Sequence, residues 1–547
     1  MSNIWIKKPM EAYEADIKKS QLKRVLGKWS LTAIGIGAII GGGIFVLTGT
    51  GAYYNAGPAL ALSFVIAGIA CVFAALCYAE FASILPVEGS AYAYAYGTVG
   101  EIFAWIIGWG LILEYAMGSM TVAVSWSGYF GKLLKMFGLH LPYWLTTDPG
   151  TAQKAFGEAT KQISKGNLPI EKLQSFQETI NNFNAAPEIF NFKIFLNFPA
   201  LVIVLIVISI LLRGTKGAAK ANNFIVMLKV AAIIFVIVAG AFFIDPANWT
   251  PFIPEPTVIT ENGVSHSAYG YAGIIAGASA IFFAYVGFDA VSTQAGEAIN
   301  PKKDVPFAII ASLLICTLLY ILVSLVLIGM MHYSDFNPLG KYPDAIKAPV
   351  AYAFDIAGQA WAGYIITIAA TVGLISVLMV MIMGQSRIFL GMSKDGLIPR
   401  TFSKVNAETG VPSKNLMILG GVISVVAAFT PINDLAHMTS FGTLFAFTMV
   451  CVAVWVLRVK QPNLQRNFRV PALPVIATLG ILINIYLIIN LSIEAQTYSA
   501  IWLLFGFVIY FLYSRKNSKL QNGGFGETFK AEQEPLEEIE IDIDNKD

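Results

Sequence analysis

The sequence contains 547 residues, of which 56% are hydrophobic and only 13% are charged. A soluble globular domain has about 25% charged residues, and soluble cores of ordinary size cannot hide so many apolar side chains. The composition therefore excludes a soluble enzyme and a disordered chain as the main interpretation. The 36 basic and 34 acidic residues give a net charge of +2, which is too balanced for a typical nucleic-acid-binding protein. The sequence predicts an integral membrane protein.

Twelve apolar stretches are long enough to cross a bilayer, since a helix that spans about 30 Å of hydrocarbon needs about 20 mainly apolar residues. In chain order they are 30–51, 58–80, 101–131, 194–212, 222–244, 269–296, 305–331, 350–386, 415–431, 434–457, 472–493 and 497–513. We therefore expect an all-α integral membrane fold with about 12 transmembrane helices.

The predicted spans fall into two blocks of five, at 30–244 and 269–457, followed by helices 11 and 12 at 472–513. The remaining segments are an N-terminal tail at 1–29 and an acidic C-terminal tail at 514–547. Because five is an odd number, the second block begins on the opposite side of the membrane from the first. This is the pattern of an inverted repeat.

Basic residues are concentrated on one side of the predicted membrane. The segment 1–29 contains seven, and the connections after spans 4, 6, 8 and 10 are also basic. Four connections on the other side contain no lysine or arginine: 52–57, 245–268, 432–433 and 494–496. Since basic loops mark the cytoplasmic side, both termini are expected in the cytoplasm and the chain in the cell (plasma) inner membrane. The long polar connection 138–193 is then an external loop.

Two of the predicted spans contain anomalies in matching positions. Span 1 reads GIGAIIGGGIF over 35–45, with five glycines in nine residues, and each glycine costs a helix up to about 1 kcal/mol against alanine. Close packing of small residues is one explanation. An anionic ligand bound by free backbone N–H groups at the start of a second half-helix is the favoured one. Span 6 reads IFFAYVGFD over 281–289, with aromatic residues, a glycine and a carboxylate in mid-span.

These segments resemble the amino acid–polyamine–organocation superfamily, and in particular its bacterial cationic amino acid transporter branch. The motifs are GIGAIIGGGIFVLTG (35–49), LPVEGSAY (85–92), FFAYVGFDAVST (282–293) and NPKKDVP (300–306), and the resemblance covers about 25–515. It implies two inverted five-helix repeats with broken helices 1 and 6, as in the LeuT-like fold, plus two extra helices. The loop 138–193 is longer than usual in this family, and Gly42 stands where a small polar residue is common.

The resemblance also implies a substrate site at the two breaks. Its residues are Ile40, Gly41, Gly42, Gly43, Phe282, Phe283, Ala284 and Val286. The backbone amides of the three glycines are expected to bind the α-carboxylate of an amino acid. Carbonyl groups near Ile40, Phe282 and Phe283 are expected to bind its α-ammonium group, with the Phe283 ring as a gate.

Three charged residues lie deep in predicted spans. Lys229 is about 10 Å into span 5 at 1.5 Å per residue. Its side chain either extends back to the interface or, as the resemblance suggests, places its ammonium between spans 1 and 8, where sodium-coupled relatives of this architecture hold a cation. The second alternative predicts proton coupling. Glu114 and Asp289 are candidates for proton coupling or for binding a charge on the substrate. Glu114 is also a candidate partner of Lys229. The alternative for Glu114 is a carboxyl group that fixes the packing of the helices.

Several other residues are interpreted as structural. Tyr92, Tyr94 and Tyr96 are expected to pack in a cytoplasmic loop, and Glu80 and Glu297 to form salt bridges at cytoplasmic helix ends.

No enzyme motif is found in the sequence, neither a Walker loop nor a metal-ligand cluster nor a nucleophile motif. We therefore expect a non-enzyme without a cofactor, driven by the proton gradient. Its expected partners are an amino acid substrate and the lipid bilayer, with no nucleic acid; an accessory subunit is left open.

The predicted function is proton-coupled import of L-amino acids by alternating access. A small neutral or broad specificity is favoured over a cationic one. The alternatives are an exchanger without proton coupling, an amino acid sensor and a channel.

Overall fold

The computed structural model describes residues 5–9, 26–84, 90–165, 170–190, 192–261, 264–292, 298–338, 340–406, 409 and 411–522. The described chain is mainly helical. Its α-helices are α1 (Lys28–Ile39), α2 (Thr48–Gly51), α3 (Leu60–Ile84), α4 (Ser90–Thr98), α5 (Glu101–Met136), α6 (Pro149–Lys165), α7 (Ile170–Asn184), α8 (Phe198–Leu212), α9 (Thr215–Gly240), α10 (Gly270–Ile281), α11 (Pro301–Met330), α12 (Pro349–Ile356), α13 (Ala360–Lys394), α14 (Ser413–Phe429), α15 (Ile432–Lys460), α16 (Leu473–Ile489), α17 (Ile493–Ile509) and α18 (Arg515–Asn517). Two short antiparallel hairpins pair β1 (Glu188–Ile189) with β2 (Phe192–Lys193) and β3 (Thr257–Glu261) with β4 (Val264–Ala268).

Eight helical segments in the described part of the chain are long and apolar enough to cross a membrane. They are Gly43–Ile84, Glu101–Met136, Phe224–Phe243, Gly270–Ser292, Pro301–Met330, Ala360–Lys394, Ile432–Lys460 and Ile493–Asn517. Three further apolar helices, α8, α14 and α16, are shorter. The chain is therefore a multi-pass membrane protein.

Two predictions about local structure were wrong. The stretch 350–386, expected as one span, is divided between α12 and α13, because Gly358 turns the chain with φ +75°. The segment with Tyr92, Tyr94 and Tyr96 is the helix α4 and not a loop; alanine, the best helix former, alternates with the tyrosines, and all three rings are buried.

The long polar connection 138–193, for which no secondary structure was predicted, is folded. It contains α6, α7 and the first hairpin. The rings of Phe156 and Phe183 stack with centroids 4.2 Å apart, and Phe183 stacks on Phe195 at 5.1 Å. A bridge between Thr146 and Asn197 joins its two ends beside the start of α8. This small aromatic core explains why a polar segment folds here.

The centre of the bundle is built around α5. This helix packs along α13 and α15, while α11 packs against both α1 and α3. The interrupted segments after α1 and α10 lie within this arrangement and contact each other. The helix α5 also runs beside both interruptions, since Ser125 lies next to Gly42 and Gly118 lies next to Phe283.

The chain segments near the two ends of the described sequence dock at the end of the bundle that carries Glu101. Lys8 Nζ lies 3.2 Å from Asp395 Oδ1, and the Lys8 N–H donates to the Tyr96 carbonyl at 3.0 Å. Glu101 accepts a hydrogen bond from Ser518, and Lys519 N–H donates to the Asp395 carbonyl at 3.0 Å. We call this region the Glu101 end.

Glu80, at the end of α3, is fully buried and forms salt bridges with Arg458 and Arg466. It also accepts the Val470 N–H at 2.8 Å. The predicted salt bridging of Glu80 is thus confirmed, whereas Glu297 lies outside the described residues.

Candidate functional site

The first helix is interrupted at the glycine cluster. The helix α1 ends at Ile39, and Ile40 is extended, with φ −70° and ψ 100°. Helical structure resumes at Gly43 and continues to Ala56, partly with π geometry. Because the first N–H groups of a helix have no acceptor within it, the amides that follow Gly41 face the interruption.

The second interruption follows α10. A single 3₁₀ turn covers Phe282–Tyr285, and the chain then turns at Val286 and Gly287, where φ is +119°. Gly287 is required by this conformation and by its neighbour, since a methyl group there would lie 2.9 Å from the Ala38 carbonyl. The Phe283 N–H donates to Ser440 Oγ at 3.1 Å, which anchors the turn to α15.

The two interruptions meet, and the structure brings together the eight residues predicted for substrate binding. A methyl group on Gly43 would lie 2.3 Å from Ala284 Cα, so the two backbones are in direct contact. The Tyr320 hydroxyl of α11 lies 2.8 Å from the Ile39 carbonyl and 2.9 Å from the Ala284 carbonyl. One side chain therefore links the two broken helices.

Lys229 of α9 is fully buried and does not extend back to the interface. Its ammonium donates to the Gly37 carbonyl, to the Ile40 carbonyl at 2.9 Å and to Ser376 Oγ at 3.1 Å. Gly37 and Ile40 belong to the first helix and Ser376 to α13. The ammonium thus lies at the first interruption, on one of the carbonyls predicted to bind the substrate.

Glu114 and Asp289 form a separate buried group. Asp289 accepts a hydrogen bond from the Tyr115 hydroxyl at 2.7 Å, and Glu114 lies close enough to Asp289 to interact electrostatically with it. Both are fully buried. Among the described residues, the recorded partners of Lys229 include no carboxylate, so this structure does not pair it with Glu114.

One face of α5 lies beside both interruptions, and most of its residues were not predicted from the sequence. The face consists of Tyr115, Gly118, Val122, Ser125 and Tyr129. The spacing of three and four residues places them in one stripe of the helix. That spacing is visible in the sequence, but it indicates a binding site only once the segments that pack against this face are known.

Two glycines leave room at this place: Gly118, which belongs to the stripe, and Gly42, which lies next to it. A methyl group at Gly118 would lie 3.5 Å from both Met381 Sδ and Thr439 Cγ2, and 3.8 Å from the Phe283 ring. A methyl group at Gly42 would lie only 2.6 Å from Ser125 Oγ. Residues of α5, α13 and α15 therefore surround the meeting point of the two broken helices.

On the opposite side of the bundle from the Glu101 end, α5 is tied to the segments before α13 by ion pairs. Lys132 pairs with Asp355 and lies 3.6 Å above the Tyr352 ring. Lys135 Nζ lies 2.5 Å from Asp344 Oδ2. Burial alone would raise the pKa of Asp344, but the ammonium groups of Lys347 and Lys135 outweigh it and lower the pKa to about 2. We call this region the Asp344 end.

Comparison with known proteins identifies the family. Residues 26–513 match the family model described as Amino acid permease. The branched-chain amino acid permease BcaP of Bacillus subtilis (strain 168) is 42% identical over 502 residues, which are 92% of this chain and 95% of the relative. The methylthioribose transporter of the same organism is 39% identical over 520 residues, 95% of this chain and 100% of the relative.

A plant relative, the vacuolar cationic amino acid transporter 4 of Arabidopsis thaliana, is 35% identical over 444 residues, 81% of this chain and 64% of the relative. All three relatives are named as permeases or transporters, which agrees with the prediction of a non-enzyme. The predicted superfamily is confirmed. The chain belongs to the amino acid permease family.

Proposed function

We propose that this permease imports L-amino acids together with protons by alternating access. The amino acid binds where the two broken helices meet, with its α-carboxylate on the amides of Gly41, Gly42 and Gly43. Its α-ammonium group binds to carbonyls near Ile40, Phe282 and Phe283. The contact between Gly43 and Ala284 supports one shared site, because it joins the two half-helices at the point where their backbone groups are free to bind a ligand.

The position of the Lys229 ammonium is the observation that carries the coupling mechanism. It donates to the Gly37 and Ile40 carbonyls and to Ser376. A charged ammonium holds the first helix against α13, and deprotonation weakens these bonds, because hydrogen bonds from charged donors are the stronger ones. Gaining and losing this proton therefore alters the geometry of the substrate site, which is how a proton gradient can drive uptake.

The proposed topology has twelve crossings with both termini in the cytoplasm and two inverted repeats of five helices. Long apolar helices and the three shorter ones support the crossings. The basic connections support the orientation, so the Glu101 end faces the cytoplasm and the Asp344 end the exterior. The membrane is the cytoplasmic membrane of a bacterial cell, in keeping with the bacterial relatives.

A neutral or broad specificity fits the site better than a cationic one. The neighbours of Gly118 are Met381, Thr439 and Phe283, which would contact a substrate side chain through apolar atoms. The relative named for branched-chain amino acids supports this assignment. Because other relatives are named for cationic amino acids and for methylthioribose, both belong in the test.

The testing experiment is uptake into proteoliposomes containing the purified protein. Radiolabelled leucine, valine, alanine, arginine, lysine and methylthioribose are compared, with and without an inward proton gradient and without sodium. We expect concentrative uptake of neutral amino acids that a protonophore abolishes.

Other outcomes identify the alternatives. Uptake that needs amino acid inside the vesicles and ignores the gradient would identify an exchanger. Binding without flux would identify a sensor, and uptake of methylthioribose alone would overturn the assignment of the substrate.

A further inference from the structure

Ser125 differs from its hydroxyl-bearing neighbours on α5. Ser119 donates to the Tyr115 carbonyl at 2.7 Å and Thr121 to the Met117 carbonyl at 2.8 Å, as hydroxyl groups inside helices commonly do. Ser127 donates to Asn197 Oδ1 at 2.6 Å. Ser125 is 1% exposed, and its hydroxyl has no partner in the described structure. A buried hydroxyl without a partner costs free energy.

The Ser125 hydroxyl is directed at the interruption of the first helix. A methyl group built on Gly42 would lie 2.6 Å from Ser125 Oγ and 3.0 Å from its Cβ. The same position is 3.8 Å from the Phe283 ring. The hydroxyl therefore lies directly beside Gly42 in the glycine cluster, near the ring expected to close over a ligand.

We infer that Ser125 is a further substrate-binding residue, whose hydroxyl donates a hydrogen bond to the carboxylate held by the glycine amides. This inference rests on the proposed function and adds a side-chain ligand from α5 to a carboxylate site otherwise made of backbone. A carboxylate oxygen accepts several hydrogen bonds, so one oxygen can bind an amide and this hydroxyl together. Substrate binding then supplies the partner that the buried hydroxyl lacks.

The close contact between Gly42 and Ser125 explains why the hydroxyl comes from α5 and not from the first helix. Gly42 has helical backbone angles, φ −56° and ψ −26°, which any residue can adopt. A side chain at Gly42 is excluded by Ser125 and not by backbone conformation. The two positions therefore share one gap, and either could supply the hydroxyl.

The test compares Ser125→Ala with the control Ser119→Ala in proteoliposomes. Ser119 is buried on the same helix, but its hydroxyl is bonded within the helix. The probes are the best-transported amino acid of the uptake panel and its amide, which lacks the carboxylate charge. For the amino acid, we expect Ser125→Ala to raise KM or Kd by about tenfold or more, because a hydrogen bond to a charged group is lost.

For the amide, Ser125→Ala should change Kd much less, and Ser119→Ala should leave both probes close to wild type. A second variant, Gly42→Ser combined with Ser125→Gly, moves the hydroxyl across the gap and should recover most of the affinity for the amino acid. Melting temperatures of the purified variants show that each one folds.

The outcomes separate the two proposals. If the wild-type protein takes up no amino acid, the proposed function fails and this inference fails with it. If the wild-type protein transports amino acids while Ser125→Ala has unchanged affinity, only the role of Ser125 is overturned. An equal loss for amino acid and amide would also overturn it, since the hydroxyl would then not recognise the carboxylate.

Discussion

At the scale of single residues, Lys229 is the residue on which the proposed proton coupling depends. Sequence position alone left open whether its stem extends back to the interface or its ammonium stays in the protein. The structure decides this point, because the ammonium is buried against two carbonyls of the first helix and Ser376. Its hydrogen-bond partners in the described structure are all neutral oxygens. Under the proposed coupling, its protonation state sets how firmly these groups are held together.

Replacing Lys229 with methionine should abolish uphill uptake driven by a proton gradient. Methionine keeps an unbranched apolar stem of similar length but has no proton to gain or lose. We expect exchange of labelled for unlabelled substrate to persist at a reduced rate, because the substrate site remains. Gradient-driven accumulation equal to wild type, measured in proteoliposomes with a protonophore control, would contradict the coupling role.

Replacing Gly43 with alanine should separate the two broken helices. The added methyl group would lie 2.3 Å from Ala284 Cα, and overpacking of this kind typically costs 1–3 kcal/mol, about the scale expected here. Uptake should fall to background and the melting temperature should drop. The control is Gly131→Ala on α5, where a methyl group meets nothing within 4 Å; it should retain uptake. Normal transport by Gly43→Ala would mean that the contact is not needed.

At the scale of secondary-structure elements, α5 organises the site. It contacts the first interruption through Ser125 and Tyr129, which donates to the Phe45 carbonyl at 2.7 Å. Nearer its N-terminal end, α5 is joined to the segment of the second interruption by the hydrogen bond from Tyr115 to Asp289. Near its C-terminal end, the ion pair of Lys132 joins it to α12. One continuous helix therefore contacts both interrupted segments.

The ion pair of Lys135 with Asp344 should not contribute to the pH dependence of transport. The lowered pKa of Asp344, about 2, means that its stabilising effect is present above the ordinary carboxyl value of about 3.9 and is lost only as the pH falls through about 2. Asp344→Asn should therefore leave the pH profile of uptake unchanged between about pH 5 and 8. Its melting temperature should decrease slightly, as for a loss of about 1 kcal/mol or less. A shifted pH profile would show that this pair takes part in coupling.

The sequence predicted the broken elements well and the enclosing elements poorly. The glycines at 41–43 and the FFAYVGFD segment predict interruptions of their helices directly, because these residues make poor continuous helices. Ser125 and Gly118 lie in an ordinary apolar helix, so their importance depends on what packs opposite. The helices of 138–193 were missed for a similar reason: the stack of Phe156, Phe183 and Phe195 forms only after distant residues meet.

At the scale of the whole molecule, docking at the Glu101 end joins segments from across the sequence. Asp395, at the end of α13, binds Lys8 from the N-terminal segment and the Tyr92 hydroxyl at 2.7 Å. Its carbonyl accepts the N–H of Lys519, which follows α18. Any movement of α13 at this end therefore involves the N-terminal and C-terminal segments as well.

Asp395→Asn should loosen the N-terminal segment without unfolding the bundle. Loss of the charge weakens the bond to Lys8, so the Lys8 amide, which donates to Tyr96, should exchange its hydrogen roughly tenfold faster or more. Hydrogen–deuterium exchange with mass spectrometry measures this in peptides covering residues 5–9. The control is Lys394→Gln, which alters the neighbouring exposed charge. Unchanged exchange in Asp395→Asn would show that backbone contacts alone hold the segment.

The docked segments also dictate how the protein can be labelled. Residues 5–9 lie against the bundle, with the Trp5 and Phe103 rings 5.7 Å apart, so a bulky label attached to this segment would disturb a packed contact. A small dye placed near Trp5 would instead report whether the N-terminal segment stays docked while the protein transports its substrate.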